Sequence, residues 1–239
     1  MTPYEQKALY EVVAWKRKVN QRSNLFQRLS KKAQTKINSL IPVQVHHFIT
    51  ESIRKLVQVT LFGSEYTTKA KDVGQLTLEE REHQVARTLE VYTRTAIIEG
   101  ASTGAAGLLI GLADFPLLLT IKMKFLFEVA SIYGFDVKQY EERLFILHVF
   151  QLAFSSDEHQ RDLLHTMEQW DAHKDELQAV DWQKLQQEYR DYIDLTKMLQ
   201  LVPGIGAIVG AYANNKLLQH LGETAMNAYR LRLFNLEGK

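Results

Sequence analysis

The chain has 239 residues, a net charge of +1 and no cysteine, which excludes a disulfide framework, a thiol nucleophile and a thiolate metal site. A chain of this length can bury about 70% of its unfolded surface without covalent or metal staples. Its first residues form no apolar segment of signal-peptide type, so we expect a cytoplasmic protein that is not exported.

The amino-terminal part of the chain is predicted to form three helices. Thr2 and Glu5 form a capping-box pattern with a proline at the first helical position, which predicts a helix to about Arg22. The apolar side of this helix is predicted to carry Leu9, Val12, Val13 and Trp15. Two more helices are predicted, the second as far as Leu40 and the third as far as Gly63.

The charges of the chain are unevenly distributed. Residues 1–75 contain 13 Lys/Arg and 5 Asp/Glu, whereas the remainder contains 16 and 23. No acid lies between Glu11 and Glu51, and the basic residues in that interval are Lys16, Arg17, Lys18, Arg22, Arg28, Lys31, Lys32 and Lys36. This pattern predicts contact with an anionic membrane surface or an acidic partner. The alternative is that the acidic carboxyl-terminal half faces the basic segment within the molecule.

The remainder of the chain is also predicted to be helical. Thr77 and Glu80 form a second capping-box pattern, Pro116 restarts a helix after a break, and Gly134 closes that helix as a left-handed cap. Further helices are predicted from Asp136 and from Ser155 onwards. No strand or hairpin pattern is present. We therefore predict an all-α protein of roughly ten helices in one compact domain over residues 1–239, with a basic part at 1–75 and a core at 77–239.

Glycines mark the centre of this predicted domain. The first stripe has the spacing of one helical face and consists of Gly100, Gly104, Gly107 and Gly111. Because glycine inside a helix costs about 1 kcal/mol relative to alanine, we expect the stripe to allow close approach of another backbone. The predicted partner is a second apolar helix, opened by Pro203 and carrying Gly206 and Gly210. The alternative is two unrelated core helices with incidental glycines.

The apolar segment 100–121 also raises the question of membrane insertion. It reaches spanning length, but Asp114 and Pro116 interrupt it. Residues 100–113 alone extend only about 21 Å as a helix, short of a hydrocarbon core of roughly 30 Å. A buried helical hairpin with its turn at residues 114–116 is therefore the favoured interpretation, and insertion into the membrane is the alternative.

Several of these motifs together resemble the EcsC family of bacterial proteins. The resemblance is carried by IEGASTGAAGLLIGLADFPLLLTIKMKFLFEVASIYGFDV and by VPGIGAIVGAYANNKLLQHLGETAMNAYRLR. It is further carried by the amino-terminal segments WKRKV and QTKINSLIP. That family is named for a gene that accompanies an ABC transporter ATPase and its membrane subunit. The resemblance implies ABC transporter subunits as partners, and it supplies no catalytic residues.

The candidate catalytic residues are Asp114, Glu128 and Lys122. Asp114 falls on the glycine stripe of an ideal helix, where a buried carboxylate would need a partner or a raised pKa; the alternative is a helix cap for the Pro116 helix. Lys122, Lys124 and Glu128 are the only charges in the otherwise apolar helix 116–133. The alternative for Glu128 is an ion pair with Lys124, and the alternative for Lys122 is a structural ion pair or a lysine that extends to the surface. The histidines show no ligand pattern beyond a single Glu-x-x-His at Glu80, so we expect no metal and no cofactor.

These patterns predict a non-catalytic accessory protein of an ABC transporter system, peripherally attached to the inner face of the cell membrane. We expect no nucleic-acid binding, because the basic segment 16–36 has few interleaved aromatic residues and matches no known nucleic-acid-binding fold. One alternative is a hydrolase or lipid-modifying enzyme that uses the three candidate residues. Another is a carrier that holds an apolar ligand between helices 116–133 and 203–219.

Overall fold

The computed structural model describes residues 1–21, 43–63, 73–104, 115–173 and 206–234. Within these ranges the chain forms eight α-helices and no strand, which confirms the all-α class. The helices are α1 (Pro3–Gln21), α2 (Val43–Phe62), α3 (Leu78–Gly104), α4 (Phe115–Tyr133), α5 (Tyr140–Phe154), α6 (Asp157–Glu168), α7 (Trp170–His173) and α8 (Gly206–Leu233). The predicted second helix, Gly107, Gly111, Asp114 and Pro203 lie outside the described residues.

Local sequence signals set the ends of several helices. At the start of α1, the Glu5 N–H donates to the Thr2 hydroxyl at 3.2 Å, and the Thr2 N–H donates to the Glu5 carboxylate at 2.7 Å. Thr77 and Glu80 exchange the same two bonds before α3, at 2.8 and 3.3 Å. Both predicted capping boxes are therefore confirmed. The bonds from Thr77 lower the pKa of the Glu80 carboxyl group.

Two helix ends also follow the prediction, and one helix start differs from it. α2 ends before Gly63, and Gly134 after α4 has a φ of +93°, as a left-handed cap requires. The helix predicted from Asp136 begins instead at Tyr140. The physical reason is that the Asp136 carboxylate accepts the Lys138 N–H at 3.0 Å, which stabilises a turn in place of the first helical turn.

The packing of α1 corrects the prediction of its apolar side. The buried residues of this helix are Ala8, Val12, Trp15 and Val19. Val13, which was expected on the inner face, is 37% exposed. Successive residues lie about 100° apart around a helix, so the face that buries Val12 turns Val13 towards solvent.

The long helices α3 and α8 form the central pair of the described structure. Glu82 of α3 bonds Arg230 of α8, and Leu89 of α3 lies against Gly222 of α8. The two helices are therefore antiparallel. If α3 and α8 keep the register set by these two contacts, Gly100 and Gly104 lie opposite the first turns of α8. Close packing between the two glycine stripes stays a prediction.

The remaining helices cover this pair and share one apolar core. Most side chains of α4 and α5 are buried, because these helices lie between α2, α3 and α8. The largest fully buried side chains include Phe125, Tyr133, Phe145, Trp170 and Tyr229. Among the described helices none combines the length and the apolar character needed to cross a membrane.

Two arginines bond the carbonyl groups at helix ends. Arg81 at the start of α3 donates to the carbonyl of Tyr133, the last residue of α4, at 2.8 Å. Arg143 of α5 donates to the carbonyls of Leu61 and Gly63 at the end of α2, at 3.1 and 2.8 Å. The last carbonyls of a helix have no partner within it and carry partial negative charge. The two arginines therefore fix the ends of α2 and α4 to their neighbours.

Gly222 is the glycine at which the structure requires a close approach. A Cβ atom at this position would lie 2.9 Å from Cδ2 of Leu89. We expect Gly222→Ile to lower the free energy of unfolding by about 1–3 kcal/mol through overpacking, measured by urea denaturation. Combined with Leu89→Ala, the same substitution is expected to cost less, because the truncated leucine leaves room. Equal costs in both backgrounds would contradict this contact.

Candidate functional site

The polar interior of the described structure is built around two arginines of α8. We call the first group, formed by Tyr4, Glu11, Glu82, Tyr133 and Arg230, the Arg230 cluster. The Glu82 side chain is 1% exposed and the Arg230 side chain 6% exposed. Arg230 binds both oxygens of Glu82, with Nε donating to Oε1 at 2.7 Å and Nη2 donating to Oε2. This bidentate geometry is the strong form of an arginine–carboxylate pair.

The other members of the Arg230 cluster complete its hydrogen bonding. The hydroxyls of Tyr4 and Tyr133 donate to Glu82 at 2.7 and 3.0 Å, and Arg230 also donates to Glu11 at 2.9 Å. Burial, followed by the bond to Glu82, raises the pKa of Tyr4 to about 12. Burial also raises the pKa of Tyr133 well above its ordinary value. Both hydroxyls therefore stay protonated and act as donors to the carboxylate.

The second group, which we call the Arg232 cluster, comprises Phe135, Glu142, Phe145, Asp171, Tyr229 and Arg232. Arg232 donates to Glu142 at 2.6 Å and to Asp171 at 3.2 Å. Its guanidinium carbon lies 3.9 Å from the ring centroid of Phe135 and 4.5 Å from that of Phe145. The hydroxyl of Tyr229 donates to Glu142 at 2.7 Å. The arginine is thus held by two carboxylates and two aromatic rings.

Burial controls the protonation of the Arg232 cluster. It raises the pKa of Glu142, and the positive charge of Arg232 opposes this shift. It also raises the pKa of Tyr229 well above its ordinary value. The two clusters meet through the rings of Tyr133 and Tyr229, which stack with centroids 5.1 Å apart. Together they join α1, α3, α4, α5, α7 and α8 through ionic, hydrogen-bonding and aromatic contacts.

Two surface clefts of the described structure are lined by no residue of either cluster. The larger of these two has a volume of about 490 Å³ and lies between α1 and α6, where it is lined by Asn20, Arg161, Asp162, Leu164, His165 and Glu168. The smaller encloses about 20 Å³ beside Trp15 and Thr224. Across the described ranges, no group of three or more His, Asp or Glu side chains could hold a metal ion. The contacts described above show that both clusters connect helices.

The structure describes two of the three candidate catalytic residues, and they contact different helices. Lys122 is buried in α4, with Nζ 5.7 Å from the ring centroid of Phe154 in α5. Glu128 accepts a hydrogen bond at 2.7 Å from the hydroxyl of Tyr92 in α3. Asp114 lies outside the described residues, so the grouping of the three candidates stays a prediction. The enzyme hypothesis and the carrier hypothesis both stay predictions.

The predicted basic surface is described at three positions. Lys16 pairs with Glu168 of α6 at 2.7 Å, so at this position a contact within the molecule is formed. Arg17 and Lys18 are exposed. The other members, Arg22, Arg28, Lys31, Lys32 and Lys36, lie outside the described residues.

Sequence reasoning missed the residues of the two clusters. Glu142 opens an apolar helix, and Arg230 and Arg232 occur in a final helix that buries Ala228, Tyr229 and Leu231. Charges inside such apolar runs are the signal that could have identified them, because buried charges require partners. Glu82 gave no such signal, since it lies in a strongly charged helical turn.

The described residues define an all-helical protein in which buried ion pairs join the helices. The EcsC protein family matches residues 6–234, and the chain belongs to this family. It is 47% identical over 228 residues to Protein EcsC of Bacillus subtilis (strain 168), across 95% of each chain. It is 28% identical over 251 residues to Uncharacterized protein YdbA of the same organism, covering 94% of this chain and 90% of the relative. No solved structure matches.

Proposed function

We propose that this protein is a non-catalytic accessory component of an ABC transporter system that is peripherally attached to the inner face of the cell membrane. Membership of the EcsC family supports the association with a transporter. The observation that carries the attachment is the acid-free interval between Glu11 and Glu51, which contains eight Lys/Arg residues. Its exposed described members are Arg17 and Lys18. A surface of this charge is attracted to anionic lipid headgroups.

The closed polar interior supports a non-catalytic role. The buried carboxylates Glu82 and Glu142 are each held by an arginine and by at least one tyrosine hydroxyl. A catalytic carboxylate needs to reach a reacting group within hydrogen-bonding distance. Glu82 and Glu142 are 2% and 5% exposed, so they are poorly placed to meet a substrate.

Vesicle flotation tests the attachment directly. We expect the protein to float with vesicles of phosphatidylglycerol and phosphatidylcholine, and to stay behind with phosphatidylcholine alone. The expected binding weakens as salt is raised, because ionic strength screens exposed charges. Absence of binding to both kinds of vesicle would contradict the proposal.

Paired substitutions connect the binding to the basic residues. Arg17→Gln with Lys18→Gln is expected to weaken binding about 10- to 30-fold, since each basic residue near an anionic surface contributes about 1 kcal/mol. Lys124→Gln with Lys138→Gln is the matched control, because both lysines are exposed and the change in net charge is the same. If both double variants lose the same vesicle affinity, net charge governs binding, and the assignment of the contact to Arg17 and Lys18 is wrong.

A further inference from the structure

We propose that the exposed face of α1 inserts into the headgroup region of an anionic membrane. This face, which we call the α1 face, consists of Tyr10, Val13, Ala14 and Arg17. The inference rests on the proposed function, since it assigns a particular contact surface to the membrane attachment. These positions follow the spacing i, i+3, i+4 and i+7, so they form a single stripe along the helix.

Three of the four residues of the α1 face are Tyr10, Val13 and Ala14, although the helix already buries its opposite side. Tyr10 is 76% exposed and Val13 is 37% exposed, whereas Ala8, Val12, Trp15 and Val19 pack into the core. Single exposed apolar residues are ordinary in proteins. Here a tyrosine, a valine and an alanine continue into two exposed cations, Arg17 and Lys18. Apolar and basic residues on one helical surface are the composition of an interfacial helix.

Contacts with three other helices fix α1 in position. Tyr4 bonds Glu82 of α3 at 2.7 Å, Glu11 accepts a bond from Arg230 of α8 at 2.9 Å, and Lys16 pairs with Glu168 of α6 at 2.7 Å. The helix is therefore formed and oriented before it meets any partner. Binding through a preformed surface avoids the entropic cost of ordering a segment.

The charge pattern favours lipid over a protein partner. The two acids of α1 already have partners within the molecule. Glu5 caps the helix, and Glu11 is paired with Arg230 and with Lys7. From Val12 to Thr50 the chain has no acid. Tyrosine is suited to the headgroup level, where its ring meets acyl chains and its hydroxyl meets water. The exposed cations beside it would meet lipid phosphates.

Another exposed apolar residue lies in a different environment. Val91 of α3 is 62% exposed, but its neighbours Glu90 and Arg94 pair with each other at 3.6 Å. Tyr10 also lies beside a pair of opposite charges, Lys7 and Glu11, but Val13 and Ala14 extend its apolar surface, whereas Arg94 and Thr95 occupy the equivalent positions after Val91. The exposed ring of Phe62 packs near Tyr140, with centroids 6.1 Å apart. These two positions therefore provide controls for the α1 face.

Site-specific labelling provides the first test, because the chain contains no cysteine. Tyr10→Cys, labelled with an environment-sensitive fluorophore, is expected to show a blue shift and several-fold brighter emission on phosphatidylglycerol-containing vesicles. The same label at Phe62→Cys is the matched control, since Phe62 is 73% exposed, and it is expected to show little change. A quencher attached to the lipid should reduce emission only at position 10. Equal responses at the two positions would overturn the inference.

A second test measures the contribution of the α1 face to vesicle affinity. Tyr10→Ser with Val13→Ser is expected to weaken binding about tenfold through loss of apolar surface, while Phe62→Ser with Val91→Ser leaves it unchanged.

If the wild-type protein binds anionic vesicles and the Tyr10/Val13 variant binds equally well, the inference fails and the proposed function stands. If the wild-type protein binds no vesicle, both fail. A label response that depends on protein concentration in the absence of lipid would indicate self-association and overturn the lipid assignment.

Discussion

Arg230→Met is expected to lower the free energy of unfolding by about 3–5 kcal/mol, the usual cost of removing one partner of a buried ion pair. The substitution leaves the Glu82 carboxylate, whose side chain is 1% exposed, without its cation. It also removes the contact between α8 and Glu11 of α1. Chemical denaturation followed by circular dichroism measures the change.

Two further variants separate charge burial from other effects of the Arg230 substitution. Arg94→Met is the matched control, because the Arg94 side chain is 75% exposed and pairs only at the surface; a change of at most about 0.5 kcal/mol is expected. Glu82→Gln combined with Arg230→Met is expected to recover part of the loss. Glutamine is uncharged and still provides an acceptor for the tyrosine hydroxyls. A loss below about 1 kcal/mol in the single variant would contradict the described cluster.

Arg232→Met is expected to be nearly as destabilising as Arg230→Met at neutral pH, by about 3–5 kcal/mol. It leaves Glu142 buried without its cation and removes the guanidinium from between Phe135 and Phe145. The smaller change Asp171→Asn is the matched control, because the Asp171 side chain is 46% exposed. We expect that substitution to cost about 1 kcal/mol or less.

The deficit of the Arg232→Met variant is expected to depend on pH. Burial already raises the pKa of Glu142 in the folded protein, and removal of Arg232 removes the charge that opposes this shift. A carboxyl group with a raised pKa in the folded state favours folding below its unfolded pKa, and this contribution is lost as pH rises through the folded pKa. The deficit should therefore shrink as pH falls below the raised pKa of Glu142. Unfolding free energies measured from pH 7 to pH 4 test this, and a constant deficit would contradict it.

The features predicted correctly from the sequence are those determined by neighbouring residues. The two capping boxes, the helix end before Gly63 and the left-handed cap at Gly134 each depend on residues within a few positions. The family was also identified correctly. Such signals describe a helix and its ends without specifying the helices against which it packs.

The two clusters could not be predicted, because they join residues far apart in the chain. Glu82 and Arg230 are 148 positions apart, and Glu142 and Arg232 are 90 apart. Helical periodicity assigns a residue to a face but does not identify the residue that it meets. The same limit explains Val13, which is apolar and yet exposed. It also explains Gly222, whose close approach to Leu89 belongs to neither predicted stripe.

The pairing of α3 with α8 has a consequence for the order in which the chain acquires its structure during synthesis. Glu11 and Arg230 are 219 positions apart, so a nascent chain has made α1 and α3 long before their common partner leaves the ribosome. Contacts between distant positions form late, because loop closure must precede them. Until α8 emerges, Glu82 lacks its arginine and the side of α3 that packs on α8 lacks its cover. That surface of α3 is therefore exposed to wrong contacts until α8 has been synthesised.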